Sequence, residues 1–180
     1  MEKMTGIRRI PPLVFNCPFC RAVWHSTNFG ACFLIALFES LFMKRFYVDS
    51  NIWLDFALDR KDNIRPLGEL AFQFFRKAVR EKWQILYSDI VLRELGKELT
   101  KEEIWQRCFK MVSDENLLGK AMVSVEQEKE AEKISKQQKV PFADAAHAII
   151  ARDNNAVVVS RDAHFGNLFK VVKSFLPEEL

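Results

Sequence analysis

The run Ala156-Val157-Val158-Val159-Ser160 is the strongest constraint on what this chain can fold into. A β-branched stretch without polar alternation predicts a strand covered on both faces, and such strands belong to parallel sheets with helices above and below. Arg45-Phe46-Tyr47-Val48 predicts a second strand, Trp83-Gln84-Ile85-Leu86-Tyr87-Ser88 a third, and Val171-Val172 one more near the end. The stretches between them read as helices. Residues 51–58 follow a cap at Ser50 or Asn51, and residues 67–82 follow Pro66 and repeat Leu70, Ala71, Phe74, Phe75, Ala78 and Val79 at helical spacing. Helices are also expected over 90–99, capped by Asp89 and carrying Glu94, over 101–113 and over 115–137. A short one starts at Pro141 and contains Asp144 to Ile150. The expected fold class is α/β, a three-layer α/β/α sandwich around a central, mainly parallel sheet.

A chain of 180 residues suits one domain with a sizeable core. The formal net charge of +3 does not by itself announce a nucleic-acid binder, although local lysines and arginines can still hold a backbone. Arg161, Lys44 and Arg45 fall where such contacts would be expected. The four cysteines, Cys17, Cys20, Cys32 and Cys108, are too unevenly spread for a disulfide framework, which fits a reducing cytoplasm.

Residues 1–42 differ from the rest. Cys17-Pro18-Phe19-Cys20 with His25 resembles half of a zinc site, and Cys32 would have to complete it from within an apolar run. Unpaired thiols in a poorly ordered lead-in are the plainer reading. The apolar run Phe29 to Phe38 stops at Glu39, about half the roughly 20 residues a bilayer span needs, and no small-residue cleavage site follows it. No membrane role is expected. The preferred division is an atypical N-terminal extension over 1–42, from a misplaced start, and a functional domain over 43–180, itself close to neutral.

In open parallel sheets, sites form beyond the carboxyl ends of the strands. Asp49 and Asp162 both stand at such ends. Either alone reads as a helix cap; on neighbouring strands they would share one edge of the sheet. Asp144 sits among small residues in Phe142-Ala143-Asp144-Ala145-Ala146-His147-Ala148, where a buried acid needs a partner. A divalent cation would let clustered carboxylates remain ionised. Glu94, between Arg93 and Leu95, reads in isolation as a surface residue. An all-carboxylate set suits Mg²⁺ or Mn²⁺, one ion or two, and the chemistry these favour is phosphodiester hydrolysis by activated water. His147, three residues beyond Asp144, is either a hydrogen-bonding neighbour of the site or a satisfied core histidine. Asn51 and Ser160 are candidates for positioning a metal water or a phosphate. No Gly-rich phosphate loop or nucleophile elbow is present.

Three pieces of the chain resemble the PIN domain nuclease family: Phe46-Tyr47-Val48-Asp49-Ser50-Asn51, Pro141-Phe142-Ala143-Asp144-Ala145-Ala146-His147-Ala148, and Val158-Val159-Ser160-Arg161-Asp162. The resemblance runs from about Lys44 to Leu176, and residues 1–42 depart from it. It implies a PIN-like fold and Asp49, Glu94, Asp144 and Asp162 as the acids that bind metal and catalyse; Glu94 is assigned through the helix after the second strand, Ser88 to Leu95. It further implies Mg²⁺- or Mn²⁺-dependent cleavage of single-stranded RNA and, as in the small toxins of toxin–antitoxin pairs, an antitoxin partner and a homodimer. The exposed faces of helices 67–82 and 90–99 are candidate docking surfaces. The alternatives are a DNA-directed or structure-specific nuclease, and a non-catalytic nucleic-acid-binding module.

Overall fold

The computed structural model describes residues 43–180. The cysteine pattern, the apolar run and the division after residue 42 lie outside the described residues. Five parallel strands form one sheet in the order β3-β2-β1-β4-β5: β1 Arg45–Val48, β2 Gln84–Tyr87, β3 Leu118–Lys120, β4 Val157–Val159 and β5 Ser174–Phe175. The chain passes from β1 outward to β2 and β3, then returns to β4 on the other side of β1. With right-handed crossovers, this reversal puts the helices of the two halves on opposite faces and opens a crevice between β1 and β4.

The first face carries α1 Ser50–Leu58, α2 Leu67–Arg80, α3 Asp89–Leu95 and α4, a composite helix over 101–113. The second carries α5 Val125–Gln138 and α6 Phe142–Asp153. Alternation along β1 serves both layers: Phe46 points to Phe74 and Trp83 of the first, Tyr47 to His147 of the second. Trp53 of α1 is fully buried, stacks on Phe75 with ring centroids 4.4 Å apart, and donates its indole N–H to Val48 O at 3.2 Å. That bond satisfies the one polar atom of a ring that otherwise contributes apolar burial. At Gly68 an added Cβ would come within 2.6 Å of Asp59 Cα, so only glycine lets α2 approach the end of α1 this closely.

The structure departs from the sequence expectations in four places. Residues 115–137 do not form one helix: Leu118–Lys120 pairs with β2 as an edge strand, and α5 begins at Val125 behind a Ser124–Gln127 capping box. The last strand lies at Ser174–Phe175, because the Val171 and Val172 amides both turn back to Leu168 O. Residues 90–99 are helical only to Leu95, and α6 is a full 12-residue helix rather than a short one. Within α4, Ile104–Phe109 adopts π-helical turns. Among the described residues no helix is long and apolar enough to cross a membrane.

Candidate metal centre

Asp49 leaves β1 in extended conformation and caps α1, accepting from Ser50 N at 2.7 Å. Its other oxygen accepts from Ser160 Oγ at 2.6 Å and from Asn51 Nδ2 at 2.9 Å. Asn51 Nδ2 also reaches Ser160 Oγ at 3.1 Å, and that oxygen accepts the Asp162 amide at 3.0 Å. Ser160 therefore ties the exit of β4 to the exit of β1. Asp162 in turn caps the 3₁₀ turn Ala163–Leu168 through the His164 amide. Both aspartates cap the next turn, as the plainer reading of each expected, and both stand at the crevice.

Asp144, in the first turn of α6, is 9% exposed, and its buried Oδ2 accepts no well-aligned hydrogen bond, with His164 Nδ1 3.0 Å away. Burial, then the carboxylates of Asp162 and Asp49, push its pKa from 3.8 up to about 6, against the opposing pull of His147 and His164. Asp144 thus senses acids from both strands. Glu94 extends from α3 to His147 Nε2 at 3.2 Å; burial raises its pKa, but His147 outweighs that and holds it below the usual range. The side chain is 22% exposed, so Glu94 is not the free surface residue that its sequence neighbours suggest.

These groups fall into two sets of potential ligand atoms, each within 4.8 Å: Asp49, Glu94 and His147, and Asp144, Asp162 and His164. The chemistry of the donors fits a divalent cation. Each set brings two carboxylates together, and burial, Asp162 and Asp49 all push up the Asp144 pKa. Asp144 Oδ2 is buried with only a poorly aligned His164 ring beside it, an arrangement that is costly unless a cation neutralises it. Oxygen donors of this kind match Mg²⁺ or Mn²⁺. Titrating either ion into metal-free protein is expected to raise its melting temperature, by about 2.7 kcal/mol of added stability at a hundredfold excess over Kd. Differential scanning fluorimetry reads this, and a flat titration would show that the cluster takes no ion.

Three sequence-singled residues do not face the site. Arg161 donates Nε to Asp55 Oδ2 at 2.9 Å and Nη1 to Glu178 at 2.8 and 2.9 Å. In extended chain Ser160 and Asp162 turn one way and Arg161 the other, which removes it from substrate contact. Lys44 and Arg45 lie at the start of β1, roughly 17 and 13 Å of extended chain from Asp49 at about 3.3 Å per residue; Lys44 covers the Trp83 ring and Arg45 reaches Asn154 O. Conversely, His164 was not singled out by sequence reasoning. Its Nδ1 lies 2.9 Å from Asp162 Oδ1 and 3.0 Å from Asp144 Oδ2. Its place two residues after Asp162 was the available signal.

A parallel sheet reversing at β1 and β4, with acids gathered at that reversal, defines an α/β protein with an acidic centre whose residues could hold a cation. The PIN domain model matches residues 46–170, and the chain belongs to the PIN domain family, whose members are typically metal-dependent nucleases. Among solved structures, VapBC2 from Rickettsia felis, bound to a DNA fragment from its promoter, aligns with a TM-score of 0.53 at 18% identity over 73% of this chain and 98% of that one. FitAcB from Neisseria gonorrhoeae aligns with a TM-score of 0.50 at 17% identity over 75% and 99%. At such identities the likeness is one of fold. No curated protein matches the chain in sequence.

Proposed function

We propose that residues 43–180 form an endoribonuclease domain that cuts single-stranded RNA with Mg²⁺ or Mn²⁺, in the cytoplasm, as the toxin of a toxin–antitoxin pair. The observation that carries the catalytic reading is the buried Asp144 carboxylate, whose Oδ2 has no well-aligned hydrogen bond, in a crevice shared with Asp162 and Asp49. Asp49, Glu94, Asp144 and Asp162 would hold the ion or ions. A bound divalent ion supplies an activated water and stabilises charge on the phosphodiester oxygens. The chain's own residues prepare the place: Ser160 and Asn51 fix the Asp49 carboxylate, and His147 orients Glu94. The near-neutral domain leaves target selection to local contacts rather than to overall charge.

The toxin role rests on family membership and on the likeness in fold to the VapBC2 and FitAcB structures. An antitoxin would cover part of the helical surface, and an apolar groove of about 560 Å³ lined by Leu92, Leu99, Ile104 and Trp105 borders the 90–99 surface.

The test is cleavage of labelled single-stranded RNA, double-stranded RNA and DNA by the full chain, with Mg²⁺, Mn²⁺ or chelator. Metal-dependent cutting of single-stranded RNA that disappears in Asp49→Asn is the expected result. Cleavage confined to DNA would transfer the site to the runner-up substrate, and RNA cutting undiminished in Asp49→Asn would overturn the assignment.

A further inference from the structure

Behind Glu94 lies a hydrogen-bond chain closed off from water. Tyr47 Oη is 2.6 Å from Ser88 Oγ and 2.8 Å from His147 Nδ1, and His147 Nε2 is 3.2 Å from Glu94 Oε2. Tyr47 and Ser88 are fully buried and His147 is 1% exposed. Ser88 Oγ accepts the Ile90 amide at 3.3 Å as the cap of α3, so among the described residues Tyr47 Oη is the acceptor left for its own proton. If Ser88 donates to Tyr47, then Tyr47 donates onward to His147 Nδ1, which must present a lone pair there. Burial pushes the Tyr47 hydroxyl well up in pKa, so it keeps the proton it donates.

We propose that Tyr47 and Ser88 are positioning residues that lock neutral His147 as the Nε2–H tautomer, making its ring a donor that holds Glu94 in place rather than a ligand to the metal. The inference rests on the reading of Glu94 as a metal ligand. The opposite tautomer would turn the Nε2 lone pair toward the Glu94 carboxylate, and toward Asp49 Oδ1 at 3.8 Å, where two acceptors would repel. With Nε2 protonated, the set Asp49, Glu94 and His147 offers a cation only oxygens, while the imidazole serves as the hydrogen-bonded support that ligating carboxylates typically have. A tyrosine in a central strand thereby reaches the site through two hydrogen bonds. It touches no reacting atom itself.

Against burial, the hydrogen bond to Glu94 and the carboxylates of Asp49, Glu94 and Asp144 raise the His147 pKa. Two-bond ¹H–¹⁵N spectra of the imidazole nitrogens in the full metal-free chain are therefore followed upward in pH until His147 has lost its second proton, where they read the tautomer directly. The chain has three histidines, and the His147 signals are assigned by their loss in His147→Gln. The wild type is expected to show the Nε2–H pattern. Tyr47→Phe, which removes one oxygen and keeps the ring, should shift the population toward Nδ1–H and weaken Mn²⁺ binding by about tenfold, the lower end of what loss of such a support costs. Ser88→Ala removes the donor that commits the Tyr47 proton to Nδ1 and should lower the Nε2–H population, by less than Tyr47→Phe does. A wild type in the Nδ1–H form, a Tyr47→Phe variant with unchanged tautomer and Mn²⁺ affinity, or ¹⁴N coupling from His147 in the spectrum of bound Mn²⁺ would overturn the proposal. A chain that shows the Nε2–H pattern but binds no Mn²⁺ would support the lock and overturn the metal reading beneath it.

Discussion

Asp144→Asn is expected to lower RNA cleavage by about a thousandfold while making the metal-free protein more stable. The first effect follows from losing part of the metal's charge stabilisation, worth several kcal/mol, at about 1.4 kcal/mol per decade of rate. The second follows from the cluster itself. Asp144 ionises near 6 in the fold against 3.8 ordinarily, so the folded state binds its proton more tightly. A raised carboxyl favours the fold below its ordinary pKa, and that contribution disappears as the pH rises through about 6. Above that pH the wild type holds a repelled carboxylate and the asparagine variant does not. The shift sets a ceiling of about 3 kcal/mol at 1.36 kcal/mol per unit; screening at the solvent-facing mouth reduces the gain to about 1–2 kcal/mol. Thermal melts at several pH values should therefore show the variant ahead at pH 8, level with the wild type in acid, and behind it once Mn²⁺ is added. A variant less stable than the wild type in metal-free alkaline buffer would mean that the carboxylates do not repel one another.

Arg161→Ala is expected to destabilise the domain by about 3–5 kcal/mol, the cost of leaving one member of a buried pair without its partner. The stranded group is Asp55 on α1, whose side chain is 5% exposed and accepts from Arg161 Nε at 2.9 Å. Burial already holds the Asp55 carboxyl above 3.8 despite Arg161. Without the guanidinium the shift grows, so the deficit should be largest at neutral pH and should narrow as acid protonates Asp55. Replacing the pair together, Asp55→Leu with Arg161→Met, should recover most of the loss, because apolar residues of similar volume commonly substitute for a buried ion pair at little cost. Chemical denaturation reads all three proteins. A single-variant loss below about 1 kcal/mol would show that water reaches Asp55 freely.

Arg161 also marks the limit of sequence reading. Its position at the end of a strand was visible, but the side to which its side chain turned was not inferred, although the two-residue period of extended chain carries that information. The inner strands were legible because Phe46 to Val48 and Val157 to Val159 carry their own β preference. Leu118–Lys120 has a glycine and a lysine in three residues and becomes a strand only through pairing with Ile85 to Tyr87. Even there the reason is spatial: a Cβ on Gly119 would lie 2.8 Å from Leu86 Cδ2. In the candidate site, the places of Asp49 and Asp162 were legible from strand ends and that of Asp144 from its small neighbours. His164 and Tyr47 were not, since an exposed loop histidine and a core tyrosine acquire significance only from what lies opposite them.

The brevity of the outer strands has a consequence for any protein that binds this domain. β3 offers three residues and β5 two, and Lys120 ends the former. An incoming segment seeking to extend the sheet would gain very few main-chain bonds at either margin and would meet a charge at one of them. Recognition by strand addition is thereby discouraged, which favours partners that read side chains rather than main chain.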